Sequence, residues 1–188
     1  MASRARDRLL LSTIDLVRRN GVAGTGITEL VAHSGVARRS IYNNFPGGKD
    51  ELVAAAVAWA QEFIASGITA DASPAAIIDS VVEMWATVLK DSDFDAGCPV
   101  VAGALAGTES PAARAAAADA FEEWVRLIAD RLAAPGTDPE VARHFAVMAV
   151  CAIEGAVVLA VAQRSLEPLT VIRDQLKNLL VAVNGVPR

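Results

Sequence analysis

Arg38 and Arg39 stand side by side ahead of Ser40, Tyr42, Asn43 and Asn44, so two fixed cations and four hydrogen-bonding side chains share one short segment. An arginine can bind guanine O6 and N7 bidentately or pair with a phosphate, and hydroxyl and amide groups can reach phosphates or base edges. The chemistry such a segment suits is recognition of a nucleic-acid duplex. Ile41 and Phe45 are spaced to anchor the segment inward, and Lys49, just beyond it, suits a phosphate clamp. A solvated basic surface helix is the alternative reading of the same charges.

Chemistry of the bond-making kind has no comparable cluster. There is no Gly-x-Ser-x-Gly elbow, no glycine loop built to cradle phosphate, and no Cys/His constellation. His33 and His144 have no ligand spacing to one another or to Cys98 and Cys151, so neither a metal nor a cofactor is expected, and the chain is not expected to be an enzyme. His33 reads as a surface position of the second helix and His144 as a polar position early in a buried helix.

Charge is unevenly placed. Residues 1–50 hold eight basic residues (Arg4, Arg6, Arg8, Arg18, Arg19, Arg38, Arg39, Lys49) against four acids (Asp7, Asp15, Glu29, Asp50). The other nine basic and eighteen acidic residues lie downstream, within a formal net charge of -5 for all 188 residues. A basic head on an acidic body points to an anionic partner for the head alone. With 53% hydrophobic and 21% charged residues the composition is that of a globular chain. The start of the sequence is basic and lacks an apolar signal core, and the two cysteines show no CxxC pattern, so a reducing cytoplasmic location is expected. The most apolar stretch, residues 146–162, is interrupted by Glu154 and falls short of the ~20 residues a membrane span needs, so no membrane partner is expected.

The elements that must position the basic segment can be read from periodicity and punctuation. Leu10, Ile14 and Val17 give a helix over residues 6–20, ended by Asn20-Gly21. Gly26 serves as N-cap of a short helix over 27–34, with Glu29 as half of a capping box, and Gly35 turns the chain into a third helix over 38–44 that stops before Pro46. Helix, glycine turn, helix is the helix-turn-helix pattern. Two local rules fail at its second helix, whose N-cap is Ala37 and whose first turn holds cations where the helix dipole favours anions. Such failures mark candidate functional sites.

Helices are then predicted over residues 49–66, 74–90, 99–107, 111–133, 139–162 and 166–183, several opened by Ser-Pro or Asp-Pro caps. No alternating run demands a strand, and the fold class is all-α.

From Leu9 to Leu52 the sequence resembles the DNA-binding domain of TetR-family transcriptional regulators. The resemblance rests on Gly21, on "ITELVAHSGV", and on "SIYNNFPGGKDEL", which fits the family's Tyr-x-x-Phe-x-x-Lys-x-x-Leu pattern with one extra glycine. "GCPVVAGAL", residues 97–105, is similar to the Gly-Cys-Pro segment of the LmrA/YxaF-like branch. Relatives usually carry Ser or Thr where Ala37 stands and near Gly26, and often a basic residue at Thr28, so no operator sequence carries over from another member.

The resemblance implies a helix-turn-helix domain over residues 1–48 and a larger ligand-binding and dimerisation domain over 49–188. The expected DNA contacts are Thr28, Ala37, Arg38, Arg39, Ser40, Tyr42, Asn43, Asn44 and Lys49. The last two helices are expected to pair with a second copy through Ile153, Val158, Leu169, Ile172, Leu176, Leu179 and Val183. A small apolar effector is expected against Met84, Trp85, Val88, Phe94, Val101, Leu105, Phe121, Trp124, Met148 and Cys151, although Met and aromatic residues at helical spacing also read as ordinary core. Glu154 either anchors a polar group of that effector or meets an arginine across the dimer. The functional expectation is a dimeric repressor released from a palindromic double-stranded DNA operator. A helical adaptor that binds protein through the acidic body is the rival, and salt-dependent, sequence-selective DNA binding separates the two.

Overall fold

The computed structural model describes residues 2–68, 73–133 and 137–185. They form helices and turns, with no strand among the described residues: α1 (Ala2–Asn20), α2 (Ile27–Ser34), α3 (Arg38–Asn44), α4 (Lys49–Ile68), α5 (Pro74–Asp91), α6 (Pro99–Ala104), α7 (Pro111–Leu132), α8 (Pro139–Gln163) and α9 (Glu167–Gly185). The all-α expectation holds. α2 and α3 take the expected bounds, because Gly35 and Pro46 punctuate them locally. α1 starts at Ala2, earlier than expected, and α6 stops at Ala104, earlier than expected. There the Ala106 amide bonds the Gly103 carbonyl at 3.1 Å and Gly107 turns at φ 62.

Two compact units result, Met1–Glu62 with Gly97–Ala120, and Phe63–Ala96 with Phe121–Arg188. Gly48, the expected end of the first domain, therefore lies inside the first unit.

The first unit is built on Leu9, Leu10, Leu16, Leu30, Val36, Ile41, Phe45, Leu52 and Ala56, contributed by α1 to α4 and the turns on either side of α3. α6 joins it because Gly103 lets α6 approach closely: a Cβ there would stand 2.9 Å from Val57 Cγ2 and 3.3 Å from the Ala113 carbonyl oxygen. Ser110, read from sequence as a cap, instead donates its hydroxyl to Asp50 of α4. The Arg18 side chain donates to the Gly97 carbonyl at 2.8 Å, and burial pushes its guanidinium below the ordinary arginine pKa while Asp15 and Cys98 pull the other way.

In the second unit α9 packs on α8 and α5. Trp85, Leu89, Trp124, Val157, Leu169 and Leu176 are among its buried residues. Ser73 and Asp138 cap α5 and α8 as their Pro-linked positions predict, accepting from the Ala76 and Glu140 amides. Lys177 of α9 donates to both Asp79 oxygens of α5 at 2.7 and 3.0 Å. α8 reaches 25 residues, longer than its apolar run. By length and composition α4 and α8 could each cross a membrane, yet each has a face buried in protein.

Candidate nucleic-acid interface

The α2–α3 turn is set by backbone and side chain together. Gly35 sits in the left-handed region at φ 61, where its amide bonds the Val31 carbonyl at 3.0 Å. A residue with a Cβ there would be strained and would also meet the Arg8 guanidinium at 2.9 Å. Arg8 itself bonds the Ser34 carbonyl, and the Ser34 hydroxyl accepts from the Val36 amide at 3.2 Å, so α1 holds the turn from one side. Glu29 accepts from Asn20 at 3.0 Å and so ties α2 to the end of α1.

α3 is docked by Ile41 and by Phe45, which follows it, exposed 0% and 1%. The Arg6 guanidinium lies 5.3 Å from the Phe45 ring centroid, a cation–π contact that closes the core at this edge. With that face buried, the helical period turns Arg38, Arg39, Tyr42 and Asn43 to the surface. Ala37 is the N-cap, and no side chain caps the helix there. Among the described residues neither Arg38 nor Arg39 makes an ion pair, and the first turn of α3 contains no acid. Both cations are exposed. Ser40 and Asn44 are half-buried, and the Asn44 amide is engaged with the Ser40 carbonyl at 2.7 Å, so Asn44 has less to offer a duplex than its sequence position suggests.

The extra glycine is accommodated by the turn into α4. Gly48 takes φ 71 and its amide bonds the Phe45 carbonyl at 2.9 Å, while Glu51 accepts from the Gly47 amide at 2.6 Å. Lys49 opens α4 half-buried, and Thr28 is exposed in the first turn of α2.

The second unit contains an apolar cavity of about 50 Å³, several times the space one water needs. Its wall comes from α4 (Ile64, Ile68), α5 (Pro74, Ile77, Ile78, Val81, Trp85), α7 (Trp124, Ile128, Arg131, Leu132) and α8 (Phe145, Ala149, Val150, Ile153, Glu154). Of the residues expected there, Trp85, Trp124 and Glu154 line it. Phe121 packs edge-on against Trp124 with centroids 5.4 Å apart, next to the wall but not on it. Met84, Val88 and Phe94 are half-buried outside the lining, and Val101 and Leu105 belong to the first unit. Met148 and Cys151 are exposed, because the helical period gives the inner face of α8 to Phe145, Ala149 and Ile153.

The outward face of α8 and α9 is apolar. Val147, Met148, Val158 and Leu159 of α8 are exposed, as are Val171 and Leu179 of α9, and a shallow groove between the helices takes in Cys151, Gly155 and Ile172. Within the expected pairing set, Val158, Ile172 and Leu179 belong to this outer side. Ile153 lines the cavity, Leu169 and Leu176 are buried against α5 and α8, and the side chain of Val183 lies outside the described residues.

Residues 9–56 match the model for bacterial regulatory proteins of the tetR family, and residues 74–175 match the C-terminal domain of LmrA/YxaF-like transcriptional regulators. The chain belongs to the TetR family. An uncharacterized HTH-type transcriptional regulator of Mycobacterium tuberculosis is 37% identical over 183 residues, covering 94% of each chain. The HTH-type transcriptional regulator LmrA of Bacillus subtilis is 26% identical, covering 94% of this chain and 96% of its own. A TetR transcriptional regulator from Legionella pneumophila, 20% identical, has the same fold, with a TM-score of 0.81 over 92% of this chain and 95% of its own. This TetR-family regulator is thus a DNA-binding transcription factor, similar to regulators and not to enzymes.

Sequence reasoning missed Arg18 and most of the aliphatic cavity wall of this TetR-family chain. The spacing of Ile77, Ile78, Val81 and Trp85 on one face of α5 was the available signal. Nothing local marks Arg18, whose partner lies 79 residues away. Among the described residues no group of three His, Cys, Asp or Glu is placed to hold a metal ion.

Proposed function

We propose that this chain is a cytoplasmic homodimeric repressor that leaves a palindromic operator when a small apolar effector occupies the cavity of its second unit. The observation that carries this reading is the pair Arg38 and Arg39, exposed and without an ion pair among the described residues, at the start of a helix whose other face is locked by Ile41 and Phe45. Cations in that position are locally unfavourable, and a phosphate or a guanine edge offsets the cost. Tyr42, Asn43, Ser40, Thr28 and Lys49 supply further hydrogen bonds to the same duplex, and Ala37 lets the backbone approach it. In this reading residues 1–48 read DNA, and residues 49–188 bind effector and partner.

The partner is a second copy, seated on the outer face of α8 and α9. Val158 and Leu159, exposed 54% and 51%, sit in an apolar face of the kind that marks an interaction surface. Two copies present two recognition helices to half-sites about one helical turn apart. Trp85, Trp124 and Glu154 on the cavity wall support the effector assignment. The effector shifts the DNA-binding equilibrium only by its preference between the two states.

In vitro transcription from a template carrying a site selected from random duplexes tests the reading. Transcript falling as the dimer saturates the site is the expected result. Rising transcript would mean an activator, and no change would remove the regulatory assignment to that site.

A further inference from the structure

Trp124 is 2% exposed and lines the cavity, yet among the described residues no acceptor reaches its indole N–H. Buried donors are almost always paired, so this one calls for a partner that enters from outside the fold. The charged residues on the same wall, Arg131 and Glu154, are each engaged with other groups of the protein. Phe121, edge-on against Trp124, braces the indole and limits its turning toward another acceptor. The rest of the wall is aliphatic or aromatic and would reject a charged guest.

We infer that the effector is a small, uncharged, apolar molecule carrying one hydrogen-bond acceptor, a carbonyl or ether oxygen, which takes the Trp124 indole N–H. The inference rests on the reading above that this cavity is the effector site. At about 50 Å³ the cavity is smaller than the ~150 Å³ that holds a benzene ring, so a single ring with a short substituent fits only by widening it, and a polycyclic compound would have to widen it further. Selectivity follows from the donor: a site holding an unmatched N–H discriminates against a guest of the same shape that lacks the acceptor.

Acetophenone and isopropylbenzene share a ring and a branched substituent and differ in the carbonyl, which makes them suitable probes. Each is titrated into the full chain and into Trp124→Phe, which keeps an aromatic ring and removes the donor. The expected result is that the ratio of acetophenone to isopropylbenzene affinity falls about tenfold in the variant. In the unaltered protein, the Trp124 indole proton resonance should move downfield with acetophenone and not with isopropylbenzene, a readout that does not depend on the variant folding. An unchanged ratio, equal response of the indole proton to both probes (as a resident water on the N–H would give), or no saturable binding of either probe overturns the inference. Both measurements are made without DNA. A chain that follows the expected pattern but binds no DNA site sinks the regulator reading alone, and a DNA binder indifferent to acetophenone sinks this inference alone.

Discussion

Arg18 and Gly97 bond each other twice: the Gly97 amide donates to the Arg18 carbonyl at 3.1 Å, and the Arg18 Nε–H donates to the Gly97 carbonyl at 2.8 Å. The clasp fastens the residue just before Cys98 to the last turn of α1, and so holds α6 in the unit that carries the helix-turn-helix. Removing the guanidinium leaves a carbonyl short of a charged donor, a loss of roughly 2 kcal/mol. Arg18→Met, which keeps most of the stem, should lower the unfolding free energy by about that amount in a urea titration. An unchanged midpoint would show that the clasp adds no stability.

Ala37 caps α3 without a side-chain acceptor. Serine there would accept from an amide of the first turn, worth roughly 0.5 to 1 kcal/mol. Ala37→Ser should therefore raise the thermal midpoint by a few degrees, and a lower midpoint would contradict the cap assignment.

Gly103 is glycine for space. A methyl group there would press on Val57, a β-branched side chain with little rotamer freedom, and on the Ala113 carbonyl. Gly103→Ala gains helix propensity but loses more to overpacking, a net destabilisation of roughly 1 to 2 kcal/mol by denaturant unfolding. A stabilised variant would mean that α6 stands off from α4 and α7.

The outer face of α8 and α9 should behave differently from the inner one. Val158→Asp with Leu179→Asp should leave the subunit folded by circular dichroism and weaken self-association at least tenfold by sedimentation, whereas Leu169→Ala should cost about 2 to 4 kcal/mol of stability. Self-association unchanged by the double variant would move the partner surface elsewhere.

Local punctuation made the helix-turn-helix legible: Gly35 and Pro46 mark where chain direction must change, and Ile41 and Phe45 fix which side of α3 faces out. Direction in the second unit was harder to read. Leu169 and Leu176 keep a real apolar period, but a period says that a face is buried and not what buries it, and here α5 and α8 do. Met148 and Cys151 have the chemistry of a pocket wall, yet they sit on the face of α8 that the cavity does not use. Gly97 to Leu105 joins the first unit through long-range contacts, above all Arg18–Gly97, that no window of sequence contains.

Arg38 and Arg39 are the side chains proposed to read DNA. A selection from randomised duplexes at moderate salt, run in parallel on the unaltered chain and on Arg38→Ala, Arg39→Ala, tests that role most directly. If these arginines read DNA, an inverted repeat is enriched by the unaltered chain and lost in the variant, with salt-dependent affinity. Equal enrichment by both proteins, or none by either, would contradict that role.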